Sequence, residues 1–361
     1  MTIPNTMTAA VFHGPNDVRI ETVPTPQAGP GEVLLRVRAC GICGTDFNMF
    51  SGDFKVRKTP LIPGHEFAGE IVATGSDVVE LAVGERVTAD INLTCGTCFW
   101  CRRGENLLCP HLQQIGIDLP GAFAEYVKAP AQHVYRLPDS VTYEQGASIE
   151  PLACAIHAQT RVDIPVGASV AVLGGGSMGI IHAQLARLKG AYPVILVGRT
   201  PSKLERAARV GIKHLINSRE TDPVAAVKDL TGGRGADVVI EAAGNIRTYE
   251  QAFQMVRRGG TVVAYGIPPQ EDTLSIRPFD FFMQEWKVIG AFVSHPTAWT
   301  KALTLLEARS IQADTLFSLR VPLEQMLDAV AEARQNKEIM KVFIVPGLQT
   351  REEIDADALC V

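Results

Sequence analysis

Two textures of hydrophobic patterning divide the chain. Through roughly the first 150 residues, apolar positions come in short alternating stretches broken by Gly and Pro. Val33, Leu35 and Val37 fall on one side there, against Leu34, Arg36 and Arg38 on the other. A period of two marks a half-buried strand, so this half reads as β-rich. Beyond Gly167 the texture becomes continuous apolar runs, at 169–173, 194–197, 237–240, 261–265 and 288–292, separated by segments with helical spacing. Such alternation predicts βαβ units and a parallel sheet. Between the first two runs, Met178, Ile181, Leu185 and Leu188 recur every three or four residues, which predicts a crossover helix with one apolar stripe. Thr200 reads as the N-cap of the next helix, with Pro201 at its first position. After Trp299 the pattern is helical. A last apolar run at 342–345 is placed to return to the β-rich half, and a polar tail closes the chain at 351–361.

Composition narrows the class. At 361 residues the chain exceeds what one core ordinarily serves, so two domains are expected. Hydrophobic residues at 46% and charged residues at 20% set aside disorder and fibrous repeats. A net charge of -5 with no run of Lys or Arg gives a polyanion no electrostatic footing, so no nucleic-acid partner is expected. No basic-then-apolar leader opens the chain and no apolar run reaches membrane length. A cytoplasmic protein without membrane association is the expectation.

Cysteine spacing brings in chemistry. Cys95, Cys98, Cys101 and Cys109 form CxxCxxCx7C, which lets four thiolates converge on one Zn²⁺ and leaves no open position, a structural site. Disulfides or free thiols are the alternatives, and a reducing compartment argues against the first. A zinc-ribbon module for nucleic acid would also cluster cysteines, but Phe99 and Trp100 read better as lobe packing than as base-stacking groups. Cys43 in CGICGTD, His65 and Glu66 in PGHEFAG, and Glu150 in SIEPLAC are dispersed donors, the pattern of a catalytic site assembled from several loops. Singly each is weak, and Cys40 with Cys43 also permits a redox CxxC, though without a thioredoxin-like βαβ around it.

Gly174, Gly176 and Gly179 make GxGxxG directly after one apolar run and at a helix start, the context of a dinucleotide site. The pyrophosphate is expected on the backbone N–H groups of Ser177 and Met178. An NAD-selective site wants a carboxylate at the end of the second strand. Gly198, Arg199 and Thr200 stand there instead, with Lys203 one turn on, and this favours NADP over NAD.

Taken in order, CGICGTD, PGHEFAG, CGTCFWCRRGENLLC, GAFAEYV, SIEPLACAIHA and VLGGGSMG resemble the zinc-containing medium-chain dehydrogenases, near the sorbitol and threonine dehydrogenase branch. The resemblance implies an α/β protein with a GroES-like catalytic domain at 1–152 and 299–361 and a Rossmann domain at 153–298. It implies two zinc ions per chain, with Cys43, His65 and Glu66 at the catalytic one and Glu150 as direct or water-bridged ligand, and Thr45 as the hydroxyl that takes the reacting alcohol's proton. Asn48 replaces a relay histidine, and Val293 occupies the approximate place of the arginine that sorbitol-type enzymes put in the substrate cleft. A polyol or sugar alcohol is the expected substrate, with threonine or a simple secondary alcohol second, and the protein is expected as a homodimer or homotetramer. The metal-free quinone reductase relatives would not need Cys43, His65 and Glu66 together.

Overall fold

A computed structural model describes residues 2–354, and the end of the tail at 355–361 lies outside them. An N-terminal hairpin, Thr6–Gly14 with Asp17–Pro24, covers an eight-stranded mixed sheet. The sheet centres on strand Glu32–Gly41, which pairs antiparallel with Glu66–Thr74, Tyr126–Pro130 and the late strand Lys341–Ile344. The run at 342–345 therefore does return to the β-rich half. The second sheet has six parallel strands in the order His214–Asn217, Val194–Gly198, Val170–Leu173, Ala236–Glu241, Val256–Ala264, Lys287–Gly290. The strand order reverses about Val170–Leu173, the switch point at which doubly wound sheets open a crevice for ligands. Both units of the α/β, GroES-like plus Rossmann arrangement are thus present.

The pattern misled in places, each for a packing reason. Leu34, assigned to the polar side of its strand, is buried against Met7, Val11 and Tyr126 because the N-terminal hairpin covers that face. Helix Ser177–Leu188 lies between the parallel sheet and helix Ile149–Thr160, so Ile180, Ala183 and Gln184 are buried as well as Ile181 and Leu185. Leu188, assigned to its stripe, is 46% exposed. The edge strand His214–Asn217 carries too little buried apolar surface to announce itself. Thr200 is the N-cap of helix Pro201–Arg209, as read, but its side chain makes no capping hydrogen bond. The late helix, Pro296–Glu307, starts before Trp299. Among the described residues no helix is long and apolar enough to cross a membrane.

Candidate active site

The antiparallel register sets Gly41 opposite Glu66, and this brings Cys43 beside His65 and Glu66. Cys43 is the N-cap of helix Gly44–Ser51, and its N–H donates to Asp46 Oδ2 at 2.8 Å, which fixes the loop that presents the thiol. One donor atom from each of Cys43, His65 and Glu66 lies within 4.8 Å of the others. A sulfur, an imidazole nitrogen and a carboxylate oxygen at that spacing suit a catalytic Zn²⁺, which takes three protein ligands and keeps a position for substrate.

Charges around this set are balanced from a distance. His65 Nδ1 stands 3.6 Å from Asp46 Oδ1, and both atoms are buried without another partner. A carboxylate behind a ligating imidazole is the usual device for fixing its orientation. Burial pushes the Asp46 carboxyl up to about 6, against the pull of His65. Burial works against a charged His65, but Asp46 and Cys43 outweigh it and raise the imidazole well above its ordinary value. Lys341, at the start of strand Lys341–Ile344, forms a buried ion pair with Glu66 Oε2 and donates to the Ile42 carbonyl at 3.2 Å. A Cβ on Gly41 would come 2.3 Å from Glu66 Oε2, so only glycine leaves room for the pair.

Glu150 is buried in the first turn of helix Ile149–Thr160, outside the tight three-donor group. Its Oε1 accepts from Cys154 Sγ at 3.2 Å, and burial raises its pKa. The Ser294 hydroxyl in turn donates to Cys154 and accepts from Trp299 Nε1 at 3.0 Å and Asn92 Nδ2 at 3.2 Å. Thr45 Oγ1 is 3.7 Å from Cys43 Sγ, and Asn48 sits one turn further along the same helix.

In the cysteine lobe, Sγ–Sγ distances are 3.5 Å for Cys98–Cys101, 3.6 Å for Cys95–Cys109 and 4.0 Å for Cys95–Cys101. Four thiolates about 2.3 Å from a tetrahedral Zn²⁺ would sit about 3.8 Å apart, whereas a disulfide needs about 2.05 Å. The set fits a closed zinc site. Phe99 and Trp100 meet edge to face at 5.2 Å, but they are 64% and 37% exposed. They stand on the lobe surface, a correction to their reading as its packing.

The glycine turn has the shape a pyrophosphate needs. Gly174 has φ 125°, and a Cβ on Gly179 would come 1.6 Å from the Gly174 carbonyl oxygen. Gly176, the N-cap of helix Ser177–Leu188, has nothing within 4 Å of its missing Cβ, and no side chain caps the helix. Its first-turn N–H groups, those of Ser177 and Met178 included, face that open space. Ser177 and Met178 also share a cavity of about 20 Å³ with Phe317 and Lys341, so the turn adjoins the partner of Glu66. A Cβ on Gly198 would meet Leu204 Cδ2 at 2.8 Å and Gly175 Cα at 3.2 Å, so the strand end packs closely against the glycine turn. Arg199 is exposed, Thr200 is half-buried, and Ser202 Oγ just beyond is buried without a partner. Lys203 is half-buried, with Glu338 and Lys337 among its charged neighbours.

A cleft of about 490 Å³ is walled by the cysteine lobe, helix Ile149–Thr160 and the loops that end strands Val256–Ala264 and Lys287–Gly290. Val293, at its edge, has φ 47°, a conformation that β-branched residues rarely adopt. Of the residues that complete the site, sequence reading missed Asp46, Lys341 and Ser294. Asp46 had a signal, its capping-box distance from Cys43. The other two had none, because only the tertiary fold brings them in.

The chain matches the alcohol dehydrogenase GroES-like domain over residues 29–139 and the zinc-binding dehydrogenase family over 177–308. It is 37% identical to a sorbitol dehydrogenase of Bacillus subtilis (strain 168) over 96% of this chain and 99% of that one. An L-threonine 3-dehydrogenase of Chelativorans sp. (strain BNC1) is 33% identical over 92% and 97%. A zinc-binding dehydrogenase structure from Sinorhizobium meliloti 1021, bound to NADP, superposes with a TM-score of 0.91 at 36% identity, covering 95% of this chain and all of that one.

Proposed function

This chain belongs to the zinc-dependent medium-chain dehydrogenases, and we propose that it oxidises a polyol or sugar alcohol at a secondary hydroxyl, with NADP preferred to NAD. The observation that carries the reading is the Cys43, His65 and Glu66 donor set next to the Gly174–Gly179 turn, joined through Lys341. When bound, zinc supplies a Lewis acid that brings an alcohol's pKa towards neutrality, and the nicotinamide accepts the hydride. The chain's own residues do the rest. Cys43, His65 and Glu66 hold the catalytic metal, and Asp46 keeps His65 facing it. Lys341 neutralises Glu66 and limits its swing. Thr45 accepts a hydrogen bond from the reacting hydroxyl and, as it takes that proton, releases its own towards water, and Glu150, held by Cys154, orients a water or a second hydroxyl. A second zinc closes the cysteine lobe.

Residues 1–152 and 299–361 would then form the catalytic domain and 153–298 the coenzyme domain. The open outer edge of strand Lys287–Gly290 offers a pairing surface for a homodimer or homotetramer. The NADP preference rests on Arg199, an exposed guanidinium at the strand end where a carboxylate would reject a 2′-phosphate.

Following cofactor reduction with a panel of four- to six-carbon polyols, L-threonine and 2-propanol tests the reaction. Polyols should give the highest kcat/KM, and a clear preference for threonine would overturn that part. Arg199→Ala should move the NADP/NAD ratio of kcat/KM towards NAD by roughly ten- to a hundredfold, the worth of one hydrogen bond to a charged group. A wild-type enzyme that favours NAD would refute the cofactor reading.

A further inference from the structure

Helix Ile149–Thr160 carries more than Glu150. Glu150, Cys154, His157 and, just past its end, Arg161 follow at four, three and four residues, so they share one face. At 1.5 Å of rise per residue, His157 lies about 10 Å and Arg161 about 16 Å along the axis from Glu150. The Glu150 end adjoins the three-donor set, while His157 and Arg161 line the cleft of about 490 Å³.

The far wall carries the Arg161 cation beside a neutral His157. His157 stacks on His295 with ring centroids 6.1 Å apart. His295 is committed elsewhere: Nδ1 accepts from the Thr297 N–H, and Nε2 faces the Gly104 carbonyl at 3.3 Å. The side chains of His157 and Arg161 have no hydrogen-bond or ion-pair partner among the described residues. Glu105, the one acid lining the cleft, is held by Arg103 at 3.4 Å. The helix end does not need the Arg161 guanidinium either. Thr160 Oγ1 donates to the His157 carbonyl at 2.7 Å, and the Arg161 N–H to that of Ala158 at 3.2 Å. Burial, Arg161 and His295 together push the His157 imidazole down to about 4, as expected where positive groups crowd without a counter-charge. Leu107, Leu108, Ile267 and Phe292 supply apolar walls, which strengthen any charge pairing made between them.

We propose that Arg161 and His157 form an oxyanion subsite, so that the preferred substrate is a polyol ending in a phosphate or carboxylate, with that anion on Arg161 and the reacting hydroxyl at Cys43, His65 and Glu66. The fork of Arg161 suits either anion, and because side chains on a helix lean towards its N-terminus, the guanidinium can reach back along the stripe towards the Glu150 end. The subsite rests on the alcohol dehydrogenase reading above.

The test compares kcat/KM for one neutral polyol, its terminal phosphate monoester and the matching aldonate, in wild type, Arg161→Ala and His157→Gln, each checked for native circular dichroism. One of the anionic substrates should exceed the neutral polyol at least tenfold in wild type, and which one leads distinguishes phosphate from carboxylate. Arg161→Ala should raise KM for that substrate by roughly ten- to a hundredfold while leaving its kcat and the neutral polyol's kinetics nearly unchanged. His157→Gln should act in the same direction but less. A wild-type preference for the neutral polyol, or an equal loss on neutral and anionic substrates, overturns the subsite and leaves the dehydrogenase reading intact. If no alcohol is oxidised at all, that reading fails. Inorganic phosphate titrated into the protein without cofactor then decides the subsite separately, since binding that is unchanged by Arg161→Ala refutes it.

Discussion

The cysteine lobe and the Cys43 site hold their donors by opposite means. In the lobe, four thiols come from one short stretch, Cys95 to Cys109, and two of them belong to a single turn of helix, Phe99–Arg102, Cys98 as its N-cap and Cys101 within it. The lobe has no buried counter-charges to manage. At the other site the donors come from Cys43, His65 and Glu66, with Glu150 nearby, and the neutralising Lys341 arrives from the far end of the chain. It is buried and crowded with carboxylates. A closed site can be encoded locally because its four equal ligands satisfy one another around the ion. An open site must leave a position for substrate, so its rigidity has to come from the surrounding fold.

Removing one thiol from each site gives the largest contrast. Cys43→Ala should abolish turnover, by more than about a thousandfold, while the protein stays folded and retains about one zinc per chain. Cys98→Ala should lose the other zinc and lower the melting temperature, because the lobe has no core of its own. Zinc content by mass spectrometry, read beside thermal denaturation, separates the two. Wild-type activity with both metals in Cys43→Ala would end the assignment.

The next contrast concerns Lys341, which has no counterpart in the lobe. Its partner Glu66 is buried, so in the zinc-free protein Lys341→Met leaves a carboxylate uncompensated, and breaking such a pair costs about 3–5 kcal/mol. Urea denaturation should show that loss, and Lys341→Arg should recover part of it. A change under about 1 kcal/mol would mean that Glu66 finds neutralisation elsewhere.

Within the open site, the two positions of helix Gly44–Ser51 should differ sharply. Thr45→Ala should lower kcat about a hundredfold, near 2.7 kcal/mol, because its hydroxyl meets the reacting oxygen. Asn48→Ala should change kcat by less than about threefold, since an amide cannot titrate. Comparable losses would contradict the assignment of the proton exit to Thr45.

The same asymmetry governs what could be read in advance. The lobe was legible because spacing alone specifies it, and the glycine turn because its strand–turn–helix context is local. Cys43, His65 and Glu66 were named, but their meeting depends on the pairing of Gly41 with Glu66, which no local pattern carries. Lys341 and Ser294 were invisible for the same reason. Phe99 and Trp100 were misread because burial was inferred from residue type in a lobe too small to bury them.

The last prediction concerns a carboxyl buried close to the open site. Asp90 is 1% exposed; its Oδ1 accepts from Asn92 Nδ2 at 2.8 Å, while Oδ2 has no partner. Burial, reinforced by the charge of Glu150, pushes its carboxyl up to about 7. In the unfolded chain the same group ionises near 3.9. Below about pH 4 it is protonated in both states. Between about pH 4 and 7 only the unfolded chain releases the proton, so stability falls as pH rises, and above about 7 the loss is complete. Asn at this position keeps the Oδ1 acceptor and cannot ionise. Asp90→Asn should therefore gain on wild type as pH rises, by no more than about 2.7 kcal/mol between pH 5 and 7, and the gap should be flat above that. Urea midpoints measured in buffers across that range provide the check. A gap independent of pH would show that burial does not hold Asp90 protonated in the folded protein.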